Sequence, residues 1–65
     1  MSVPTERQVV DAFKTLAGPV ERPMAVNLRI REHTGCSAAE STIALDAAVA
    51  SGALVIVSTG GILLP

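Results

Sequence analysis

Ser37 and Glu40 stand three residues apart at the head of an alanine-rich stretch, and Thr34-Gly35-Cys36 lies directly before them. This arrangement constrains the chain more than any other feature it carries. A serine at the N-cap and a glutamate at the third helical position satisfy each other's free backbone N–H groups, so the pair fixes where a helix begins. The helix it predicts runs to about Ala50 and stops at Gly52, where glycine takes a left-handed cap. Gly35 reads as the stop of a preceding helix. Between the two helices there is room only for a short, glycine-bearing turn, which makes them cross at close range.

The remaining segments are read the same way. Thr5 and Gln8 have capping-box spacing, and Val9, Ala12, Phe13 and Leu16, with Val10 and Ala17, recur every three or four residues. That predicts a first helix ended by Gly18-Pro19, with Gly18 in the left-handed position. Met24, Val26, Leu28 and Ile30 then alternate with Ala25, Asn27, Arg29 and Arg31, a period of two that belongs to a strand. Gly35 and the good helix formers Arg29, Arg31 and Glu32 argue for a helix in the same place. Both signals are met by a short strand at Met24 to Val26, followed by a helix that Asn27 caps and that runs to about His33. The end reads as a hairpin: Leu54 to Val57, turn residues Ser58-Thr59-Gly60-Gly61, and a return through Ile62 to Leu64. The expected fold is a single α+β domain over residues 1–65, mostly α, with three helices, a C-terminal hairpin and a short strand before the second helix.

Composition bounds what such a domain can be. With 65 residues, 49% of them apolar, the chain is globular and has room for one small core. Phe13 is the only aromatic residue, so that core is aliphatic. Five Lys and Arg against six Asp and Glu give a net charge of −1, which rules out binding nucleic acid by overall charge. One cysteine excludes an internal disulfide and a multi-cysteine zinc site, and fits a reducing cytoplasm. No residue from Ala47 to Pro65 is charged, about the length of a membrane span. Ser51-Gly52 and Ser58 to Gly61 divide that stretch, however, so two buried strands fit it better, and neither a membrane partner nor a secretory leader is expected.

Taken together, Arg7-Gln8, Gly35, Ser37, Ala47 to Gly52, Leu54 to Ser58 and Gly61 to Leu64 resemble the N-terminal DNA-binding domain of LexA-type repressors, and more loosely small bacterial and phage winged-helix regulators. The resemblance spans nearly the whole chain and rests on caps and apolar positions. It implies a winged helix-turn-helix whose third helix enters the major groove of double-stranded DNA. Ser37, Ala38, Ala39, Ser41, Thr42 and Ile43 would then face the bases, with Arg29 and Arg31 near the backbone. A homodimer would double this patch and match a two-fold site.

A second reading stays open beside the first. The third helix has no Lys, Arg, Asn or Gln for bidentate base contacts, it carries Glu40 and Asp46, and the hairpin has no charge. Ile43 lies about 200° around the helix from Leu45, so Ala39, Ile43, Ala47 and Ala50 form an apolar side away from the first helix. This side either contacts thymine methyls, or docks a protein partner or second copy, or belongs to the core. Arg29, Arg31 and His33 either hold phosphate or simply favour a helix C-terminus. Cys36 reads as a small apolar turn residue. No nucleophile–base pair, phosphate-cradling loop or set of metal ligands is present, so neither catalysis nor a cofactor is expected.

Overall fold

The computed structural model describes residues 2–65. The order is α1 (Glu6–Lys14), α2 (Pro23–Thr34), α3 (Ala38–Ser51), β1 (Val55–Ile56) and β2 (Ile62–Leu63), a mostly helical α+β arrangement.

Local chemistry sets the ends of α1. The Gln8 N–H donates to Thr5 Oγ1 at 3.2 Å and the Thr5 N–H donates to Gln8 Oε1 at 2.8 Å, which completes the expected box. The helix stops before its apolar stripe does. Lys14 is its last residue, and Gly18 does not take the left-handed conformation expected of it. Thr15 Oγ1 donates to the Ala12 carbonyl at 2.6 Å, and the Leu16 N–H turns back to Phe13 at 3.0 Å. These i−3 bonds tighten and close the last turn ahead of Pro19. Gly18 instead lets a side chain come close: its N–H donates to Glu21 Oε2 at 2.8 Å, and a Cβ there would lie 2.6 Å from that oxygen.

The second element corrects the sequence reading. Met24 to Val26 is not a strand, and Asn27 is not a cap, because α2 already starts at Pro23. Proline at the first helical position has its φ preset and loses no hydrogen bond, which is the start signal that the alternation masked. The extended segment lies just upstream. Glu21 bridges Ile62 antiparallel, its N–H donating to the Ile62 carbonyl at 2.8 Å and its carbonyl accepting from the Ile62 N–H at 2.7 Å.

The turn and α3 follow their sequence signals. Gly35 takes φ 76° and donates its N–H to the Arg31 carbonyl at 2.8 Å. Ser37 caps α3 with Glu40 as its reciprocal partner, and Gly52 closes it at φ 85°. In the hairpin, Val55 pairs with Leu63 and Ile56 with Ile62. The Val57 N–H donates to the Gly61 carbonyl at 2.9 Å and the Gly60 N–H to Val57 at 2.8 Å. Gly60 supplies the positive φ, 89°, that this three-residue connection needs. The regular strands are shorter than Leu54–Val57 and Ile62–Leu64.

The three helices pack on one another around a single cluster. Val9, Ala12 and Phe13 come from α1, Val26 and Ile30 from α2, and Ala44, Leu45 and Ala48 from α3, with Cys36 from the turn. Leu54 and Ile62 fix the hairpin to this core. No helix among the described residues is long and apolar enough to cross a membrane.

Candidate interaction face

The outward side of α3 is built of small and apolar residues. Ala38, Ala39, Thr42, Ile43, Ala47 and Ala50 are all exposed. Ile43 is 55% exposed, so it is not part of the core. Three core positions, Ala44, Leu45 and Ala48, hold the helix by its other side and leave this one open.

The polar residues expected on this face are mostly engaged within the chain. Ser37 Oγ accepts from the Glu40 N–H at 3.1 Å, and Glu40 Oε1 accepts from the Ser37 N–H at 3.0 Å. These bonds hold the Glu40 carboxyl below its ordinary pKa, the backbone bond from Ser37 contributing most. Ser41 does not face outward at all. It is fully buried, with Oγ 2.8 Å from Asn27 Oδ1 and 2.9 Å from the Ala38 carbonyl, so a base could not reach it. Thr42 is exposed, but its Oγ1 accepts from Asn27 Nδ2 at 3.1 Å and donates to the Ala38 carbonyl at 3.0 Å. Asn27 therefore pins α2 to α3 through two neighbouring hydroxyls, a role its sequence context did not disclose.

The two arginines expected near a phosphate backbone differ. Arg29 reaches back to the end of α1, its Nη1 donating to Thr15 Oγ1 at 2.8 Å, while its Nε lies 3.6 Å from Glu32 Oε1. It ties two helices together and is not free to hold a ligand. Arg31 is exposed, unpaired among the described residues, and stands beside a groove between α2 and α3 that Asp46 also lines. His33 is exposed and Cys36 is buried in the turn.

A third arginine was not singled out from the sequence. Arg22 precedes α2 as its N-cap residue and makes no side-chain capping bond, which leaves the first-turn N–H groups open. It lines a groove with Val20, Glu21, Pro23 and Met24 on one side and Thr59, Gly60 and Gly61 of the hairpin turn on the other, and the Glu21 carboxylate there accepts from the Gly18 N–H. Pro23 and Met24 also line the groove that leads to Thr42 and Asp46 on α3. Pro23 and Met24 thus border two grooves, one shared with the hairpin turn and the other with α3. No three His, Cys, Asp or Glu among the described residues are placed to hold a metal ion. No known protein family, curated protein or solved structure matches this chain.

Proposed function

We propose that the chain is a winged helix-turn-helix domain that docks on duplex DNA. The observation that carries this is the groove between the hairpin turn and the uncapped start of α2 with Arg22, on a molecule whose α3 also presents an open side of small residues. In a domain of this kind α3 lies in the major groove, while open helix N–H groups and a nearby cation hold phosphates on either side. The Glu21–Ile62 bridge supports the same reading, because it adds an extended segment beside β2 as the winged-helix order requires. Ala38, Ala39 and Thr42 are small enough to let α3 approach base edges, and Ile43 offers an apolar contact to thymine methyls. With one cation at the N-cap and no amide or basic group on α3, binding is governed by backbone contacts and is weakly selective.

The experiment is a titration of the protein against duplex DNA at low salt, repeated as salt is raised. Affinity should fall steeply with ionic strength, and Arg22→Ala should flatten the log–log salt slope by about one. A protein that leaves DNA unbound at the lowest salt sinks the reading. One observation favours a second: Ala39, Ile43, Ala47 and Ala50 make an exposed apolar side suited to a protein partner. Absence of DNA binding, together with a protein partner whose capture is lost in an Ile43→Glu variant that folds normally, would move the function to that side.

A further inference from the structure

The period-two run that reads as a strand has a different meaning inside a helix. Residues four apart share a helix face, and residues two apart lie about 200° from each other. Val26 and Ile30 therefore point one way, and both are fully buried. Met24 and Leu28 point the other way, and they are 76% and 48% exposed. A surface helix needs a single apolar stripe to hold it on its own core. The second stripe of α2 has no partner within the chain.

Met24 and Leu28 line one wall of a groove of about 530 Å³, and Leu45 and Asp46 of α3 line the other. Arg31 stands on the α2 wall. Arg31 and Asp46 form no ion pair with each other, since the one ion pair among the described residues is Arg29–Glu32. The groove thus carries an apolar strip, a cation on one wall and an anion on the opposite wall, each without a charged partner.

We propose that this groove docks a second copy of the same chain. A two-fold axis that crosses the groove midway between Arg31 and Asp46, perpendicular to the line joining them, places each over the position of the other in the second copy. Arg31 then meets Asp46 of the second copy, twice over, while Met24 and Leu28 of each copy cover the other's groove. The charge pattern is complementary to itself under that rotation. Duplex DNA fits the groove poorly, because Asp46 opposes phosphate and the apolar wall gains nothing from it.

The test is sedimentation of the free 65-residue chain over a dilution series, with circular dichroism to verify folding. It is run without DNA because Thr42 borders both this groove and the outward side of α3, so its result is independent of whether DNA binds. Wild-type protein should associate reversibly. Arg31→Asp and Asp46→Arg should each weaken the dimer by about tenfold or more, since every reversal acts twice across the two-fold. Combining the two should restore association to within about threefold of wild type, because the swapped charges attract again. Leu28→Asp should leave a folded monomer. A wild-type monomer at the highest concentration, single reversals without effect, or a double variant as weak as the singles would each overturn the proposal.

Discussion

α2 and α3 adjoin across one glycine turn, yet they are specified in opposite ways. α3 is written into its own segment: Ser37 and Glu40 start it, Gly52 stops it, and its contacts merely orient it. α2 has a proline start, no side-chain cap and apolar residues on two faces, so what defines it lies in its neighbours. Val26 and Ile30 fit a core made largely by α1 and α3, and Asn27 is held by Ser41 and Thr42. A helix specified locally survives changes in its surroundings better than one specified by packing.

Three measurements would break or sharpen that contrast. The largest effect is expected inside α2. Ile30→Ala should cost about 2–5 kcal/mol in denaturant unfolding, because a fully buried side chain leaves a cavity. Leu28→Ala on the outer stripe should stay within about 0.5 kcal/mol for the monomer. Similar losses at both positions would show that the two faces of α2 are not distinct. Next comes the joint between the helices. Asn27→Ala removes both side-chain bonds to α3 and should cost about 1–2 kcal/mol, whereas Ser41 keeps the Ala38 carbonyl as a partner. A change indistinguishable from zero would mean that packing alone sets the crossing.

The smallest effect concerns the start of α3. Glu40 binds its proton less readily in the folded chain than in the unfolded one. The stability this gives is complete above the unfolded carboxyl's pKa, and it is lost as pH falls through the lowered folded value. Thermal melts should therefore show an acid-side loss that Glu40→Gln diminishes while retaining a side-chain acceptor. An unchanged acid profile in Glu40→Gln would place the titrating group elsewhere.

What could be read in advance follows the same division. Both capping boxes, the Gly35 and Gly52 stops and the hairpin turn are signals carried within four residues, and each appears where its spacing puts it. The strand at Met24 to Val26 was a misreading of two helix faces as two sheet faces. The extended residue that does exist, Glu21, is defined by Ile62 at the far end of the chain, and no local pattern announces such a partner. The interaction face shows the same limit. Exposure of Ile43 follows from its angle to Leu45, but burial of Ser41 follows from Asn27 fourteen residues away, and capture of Arg29 follows from Thr15. Arg22 has no motif around it and gains interest only because the hairpin turn folds back beside it.

The Glu21 bridge gives the two hairpin strands unequal lifetimes. Both backbone groups of Ile62 are taken by Glu21, so the Ile56–Ile62 pair exchanges no bonds and the N–H and C=O of Ile56 point to the open edge. The amide proton of Ile62 is then trapped between two segments and escapes to solvent only when the segment at Glu21 lets go of the hairpin. The proton of Ile56, six residues earlier, is exchangeable while the molecule remains fully folded. One hairpin thus holds both a clock for release of the Glu21 segment and a surface at equilibrium with water.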